Sequence, residues 1–393
     1  MSDEVTVIGG GLGGLVAAIA AREAGLAVRV IEAKSELGGR GSSLQGRYKA
    51  NWGPHVLYAN GTFWQWLHER GLSEPAAGPA MAPVRFRWQR EAHRVPPRRA
   101  VIAARRIRGR EAPADLSFRA WIRPLVDVSV SSALCRWPGA LCYHHDPGEL
   151  AASFTIEKLH QVTRFPPTPR YLRGGWRTLI ERLAAHATRL GASIETGARV
   201  GELPDGPVIV ATRLETAATL TGDKTLAWPG SQIAAVDVAV ERRRGDTYVL
   251  FDLDEGGLAV AYTYPDASLA PPSEHLIQAQ IGMRPRERSE AATERVERLL
   301  DAGYRGWRER VTWRRDLRLV QQTGAVDPPG SSWRDRPAVD RGDGVFVVSD
   351  KSRAPGLLSE VSVNAALTAV RHMTGHVHRL SPARRNRTTP RPV

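Results

Sequence analysis

The chain has 393 residues, a formal net charge of +14 and two cysteines. That length points to two domains, and two cysteines are too few for a disulfide framework or a zinc site. No apolar run approaches the roughly 20 residues that cross a bilayer, and the acidic start is not a secretory signal, so a cytoplasmic location is expected.

Val5-Thr6-Val7-Ile8 opens the chain as a short β-branched run, the pattern of a fully buried parallel strand. Gly9, Gly11 and Gly14 follow in the spacing G-x-G-x-x-G. Leu15, Ala18, Ile19 and Arg22 keep helical spacing over about 13–24, Gly25 stops the helix, and a second strand over 27–31 ends at Glu32. Gly9 permits the tight turn, Gly11 lets a pyrophosphate approach the backbone, and Gly14 lets helix and strand pack closely. The helix N-terminus offers unpaired N–H groups to phosphates. A carboxylate at the strand tip accepts hydrogen bonds from ribose and repels a 2′-phosphate, which disfavours NADP. Strand, turn, helix and acid agree on a dinucleotide site without separating NAD from FAD.

Further along, 176–190 reads as an amphipathic helix closed by Gly191, with a strand over 193–196. "GPVIVAT" (206–212) reads as another buried strand. Alternating stretches at 235–240, 248–251, 258–264 and 276–281 suggest an antiparallel sheet, followed by a helix over about 289–302. Between 85 and 136 the net charge is +9, and between 371 and 393 it is +6. The Pro- and Arg-rich end, 379–393, reads as a disordered basic tail. No helix-turn-helix, zinc-finger or single-strand-binding signature accompanies the charge, so nucleic acid is not the expected partner. His144-His145-Asp146 reads as a loop surface, because adjacent side chains point apart. No metal is expected. Trp52, Trp64, Trp66 and Trp88 read as core aromatics, with Trp52 a candidate to line a ligand cavity.

The segments "EAKSELGGRGSS" (32–43) and "GRYKANWGPHVLY" (46–58) resemble the flavin amine oxidase and phytoene desaturase-like superfamily. Residues 170–200 and the closing stretch "GVFVVSDKSRAPGLLSEVSVNAALTAV" (344–370) extend the resemblance, although Ser349 stands for the usual glycine and Ser359-Glu360 for small residues. It implies an α/β fold: a glutathione-reductase-like Rossmann domain holding FAD (1–80, 170–230 and 335–378), with an inserted sheet-plus-helix substrate domain (81–169 and 231–334). It also implies FAD contacts at Gly9, Gly11, Leu12, Gly13, Gly14, Glu32, Ala33, Lys34, Gly38, Gly39, Arg40, Gly53, Pro54, Val200, Asp350, Leu357 and Leu358. Arg40 would fork onto the pyrophosphate. Asp350 would accept from the ribityl chain, and the helix after Pro355-Gly356 would face the flavin pyrimidine edge. His55 is the candidate acid or base, the alternative being that it only hydrogen-bonds flavin or backbone.

The expected function is FAD-dependent oxidation or desaturation of a small organic substrate. The alternatives are a non-redox isomerase or cyclase, an amine or amino-acid oxidase, and a non-enzymatic nucleotide-binding protein. The basic 85–136 segment reads either as a solvated face or as a lid that meets something acidic. That partner would be a carboxylated substrate, an acidic carrier protein or an anionic membrane surface.

Overall fold

The computed structural model describes residues 4–53 and 55–380. Pro54 and the tail from 381 onward lie outside the described residues.

The apolar run at the start forms the strand Glu4–Ile8, central in a five-stranded sheet. It pairs in parallel with Ala27–Glu32 on one side and Val208–Val210 on the other. Ser193–Thr196 and Val345–Val347 extend the two edges, also in parallel. Both faces are covered, which is why these strands read as continuous apolar runs. One face carries Val5, Val7, Val28 and Val30 under the helices Leu12–Glu23, Trp176–Arg189 and Ser359–Leu380. The other carries Ile8, Val208, Val210 and Val347 against Leu214 and Ala217.

A seven-stranded sheet builds the second layer, in the order Val311–Ala325, Gly230–Glu241, Glu274–Gly282, Leu258–Ala261, Val249–Asp252, Val84–Trp88 and Glu91–His93. The sheet expected to be antiparallel contains one parallel pair, Val84–Trp88 against Val249–Asp252. The segment 81–169 therefore donates two strands to this sheet as well as helices. The helix Ser289–Gly303 covers one face through Val296, Leu299 and Leu300. The opposite face, with Tyr248, Val260, Tyr262 and Leu276, packs with Ala50 and Tyr171. Five helices between Arg98 and Val162 close over a separate core containing Ile107, Phe118 and Leu134. No helix among the described residues is long and apolar enough to cross a membrane.

Candidate functional site

The glycine turn divides its glycines by what surrounds them. A Cβ on Gly9, at φ +109°, would come within 2.5 Å of the Ala211 carbonyl oxygen. One on Gly14 would lie 1.9 Å from the Gly9 oxygen. Those two glycines let the helix seat on the strand. Gly11 is different, since its Cβ would meet only the Gly38 oxygen, at 3.8 Å. The space above Gly11 is open, at the N-terminus of Leu12–Glu23, where unpaired amides receive an anion. On the inner side of the same helix, a Cβ on Gly13 would press on Val348, at 2.9 Å.

The Glu32 carboxylate is fixed on both oxygens. Oε2 accepts from the Gly10 amide at 2.7 Å and Oε1 from the Lys34 amide at 2.9 Å, so Ala33 and Lys34 bend around it. The Gly38 amide donates to the Gly10 carbonyl, which brings the Gly38-Gly39-Arg40 turn to the same place. The Gly197 and Ala198 amides bond the Lys34 and Glu32 carbonyls. They lead the chain past the strand tip to Val200, half-buried against the cluster of Ile8, Val208 and Val210.

Arg40 and Asp350, 310 residues apart in sequence, meet at 2.5 Å. Burial works against the Asp350 charge, but the Arg40 guanidinium and its hydrogen bond hold that carboxyl below its usual range. Ser349, standing for glycine, stabilises the turn itself. Its hydroxyl donates to Asp350 and accepts from the Lys351 amide, while its own amide donates to the Ser352 hydroxyl.

The start of the helix Ser359–Leu380 is capped by its own acid. Glu360 accepts from the Leu357 amide at 3.1 Å and from the Thr62 and Phe63 amides. The Leu357 contribution expected from the sequence is therefore already engaged, and Leu358 takes a left-handed φ of +55° beside it. Gly61 makes room, because a Cβ there would overlap the Glu360 carboxylate. Burial raises the Glu360 pKa while those amides oppose the shift. Three amides from two helix starts converge on one carboxylate.

His55 lies beside the Arg40 turn. Its Nε2 lies 2.8 Å from the Arg40 carbonyl oxygen, which only accepts, so Nε2 carries the proton. The ring stands edge-on to Trp176 at 4.7 Å, and the His55 amide donates to the Tyr262 hydroxyl. This is the arrangement of a residue that positions the Arg40 turn. Gly53, at φ +92°, lies against Leu319. Trp52 departs from the core reading, being 41% exposed under the Arg315 guanidinium.

Sequence reasoning missed the groups that fasten this segment. Ser43 donates to the Asn51 side-chain oxygen, which also accepts from the Trp176 amide. Gln278 and Arg315 both donate to the Asn51 carbonyl and to buried Asp237. Two aligned polar residues in "GSS…AN" give no period to read. His144 and His145 also differ from expectation. Their rings converge at 4.3 Å, and Glu149 joins them so that three ligand atoms fall within 4.8 Å. Burial lowers the His145 pKa, with Arg136, Arg284 and Arg295 adding to the shift against Asp146. That cationic field opposes a metal ion.

Residues 7–69 match the family profile of the NAD(P)-binding Rossmann-like domain. No curated protein matches the chain. Among solved structures, an oxidoreductase from Methanosarcina mazei is similar at a TM-score of 0.76 and 19% identity, over 94% of this chain and 100% of that one. Cyclohexylamine oxidase from Brevibacterium oxydans is similar at 0.69 and 16%, over 96% and 100%. Reduced UDP-galactopyranose mutase is similar at 0.70 and 11%, over 95% and 96%. The chain thus shares the fold of these oxidoreductases and of the mutase, with a Rossmann-like layer over its first residues.

Proposed function

We propose that the protein is an FAD-dependent oxidoreductase that oxidises or desaturates a small organic substrate, in a specialised biosynthetic pathway. The observation that carries this reading is the convergence at one end of the parallel sheet. There the open space above Gly11, the doubly anchored Glu32 and the Arg40–Asp350 pair come from three separate stretches of chain. Such a set fits a dinucleotide with pyrophosphate over the glycine turn and ribose at Glu32. The chemistry a bound FAD supplies is two-electron transfer. Glu32 orients the ribose, the Gly11 backbone and Arg40 hold the pyrophosphate, and Asp350 neutralises Arg40 and accepts from the ribityl hydroxyls. His55 steadies the Arg40 turn through its carbonyl. Tyr171, Trp176 and Tyr262 stand around His55 in a small pocket that Asn51 and Asp266 also line.

Purified protein should be yellow, and acid precipitation should release FAD into the supernatant, because no flavin-attachment motif holds a Cys or His. A colourless preparation that takes up no added FAD sinks the reading. Likeness to a mutase keeps the non-redox reading as the second choice. Equal substrate and product masses, with no electron acceptor consumed, would select it.

A further inference from the structure

A cavity of about 500 Å³ lies in the lid, outside the nucleotide site. That is within the usual size of a small-molecule pocket. Its walls are Val101, Ala104 and Arg105 of the helix Arg98–Ile107 and Arg108 just beyond its end, with Phe86, Trp137 and residues 162–165.

The polar part of this lining is one-sided. Arg105, Arg108 and Arg164 bring three guanidiniums, and none pairs with a carboxylate among the described residues. Nearby arginines do pair: Arg87 with Asp252, and Arg119 with Asp146. Trp137 is 5% exposed, and its indole N–H has no acceptor. The Thr163 hydroxyl is already donated to the Leu159 carbonyl. His160, beside this wall, has a buried Nε2 with no partner among the described residues. Burial lowers the His160 pKa, and Arg108 and Arg164 add to the shift. The remaining lining is apolar or aromatic, and Phe165 stands 91% exposed. Exposed guanidiniums without a carboxylate partner, set beside an apolar floor, complement an oxyanion on an apolar body.

The floor continues inward. Phe86 stacks on Phe251 at 5.5 Å, and Phe251 packs against the cluster of Tyr248, Val249, Val260 and Tyr262. Tyr262 is the residue whose hydroxyl meets the His55 backbone.

We propose that this cavity binds an apolar acid, its carboxylate or phosphate held by Arg105, Arg108 and Arg164. As a ligand site it stands on the lid alone. As the place that grips the substrate of the enzyme it rests on the oxidoreductase reading, and the experiment separates the two.

Calorimetry on the FAD-loaded full chain at low salt uses decanoate, decyl phosphate and decanol. Both anions should bind, with decanol at least about tenfold weaker, a gap worth about 1.4 kcal/mol. The relative affinity of the two anions tells carboxylate from phosphate. Arg105→Ala with Arg108→Ala should weaken both anions about tenfold or more and leave decanol unchanged. Arg164→Ala on the facing turn should weaken the anions without touching the helix. Arg98→Ala with Arg99→Ala, at the helix start outside the cavity, should change nothing. The proposal is overturned if decanol binds as tightly as the anions, if the Arg105/Arg108 and Arg164 variants keep parental affinity, or if no anion binds. If the chain carries no flavin yet decanoate binds in an Arg105-dependent way, the site stands and the redox reading falls.

Discussion

Gly11 and Gly14 are three positions apart and do opposite jobs, which makes them the sharpest single-residue test of the site. Gly14→Ala drives a Cβ into the Gly9 carbonyl at 1.9 Å, an overlap on backbone that nothing flexible relieves. It should cost about 3 kcal/mol or more, read as loss of soluble protein or a fall in the apoprotein unfolding midpoint. Gly11→Ala meets nothing closer than 3.8 Å. The apoprotein should unfold like the parent, while FAD content after dialysis drops because the new methyl occupies the pyrophosphate approach. Equal FAD retention in Gly11→Ala would place the cofactor elsewhere. Glu32→Ala removes a charge-assisted ribose contact worth about 1.5–3 kcal/mol, so the FAD dissociation constant measured by fluorescence should rise about tenfold or more in the variant. At this scale the sequence was highly legible: turn spacing and the acid at the strand tip are local, and physical chemistry assigns each a job. What was hidden were the Ser43–Asn51 and Glu360 contacts, which join residues with no common period.

The strand Val311–Ala325 shows why an element can escape sequence reading. Its side chains alternate between half-buried and exposed as far as residue 320, yet Arg315 occupies an inward position and breaks the apolar pattern. The fold satisfies it with Asp237, fully buried on the neighbouring strand Gly230–Glu241. The lid helix Arg98–Ile107 was masked in another way. Its inward residues are Ala100, Ala103, Ala104 and Ile107, at helical spacing but too small to stand out among arginines. The Asp237–Arg315 contact has a measurable signature. Burial pushes the Asp237 carboxyl up from 3.8 to about 6, with Arg315 and Gln278 opposing the shift. A carboxyl whose folded pKa exceeds its unfolded value takes up a proton on folding, so it weakens the fold as pH rises from about 4 to about 6. Chemical denaturation of the parent and Asp237→Asn across that window should show the parent losing stability relative to the variant, on the order of 3 kcal/mol. A difference that stays flat with pH would mean that Asp237 is ionised throughout.

On the scale of the whole molecule, the charge asymmetry noted in the sequence has a structural counterpart. Arg40, Arg310 and Arg336 pair with buried carboxylates, while Arg105, Arg108 and Arg164 face a cavity with no carboxylate partner among the described residues. The resemblance carried the nucleotide layer because its motifs are local, but it left 80–165 unread, and there the structure adds both the parallel strand and the cavity. One further consequence follows from the order of the five-stranded sheet. Val345–Val347 is its edge strand and the last to be synthesised, and it covers Val208–Val210, made some 135 residues earlier. While the ribosome is still translating, the nascent Rossmann layer presents a bare apolar edge and lacks the Ser359–Leu380 helix that roofs one face. An exposed edge of that kind recruits other strands. A chain ended at residue 340 should therefore be retained by chaperones or sediment as aggregate in a cell-free synthesis reaction, whereas one ended at residue 380 should remain in the supernatant.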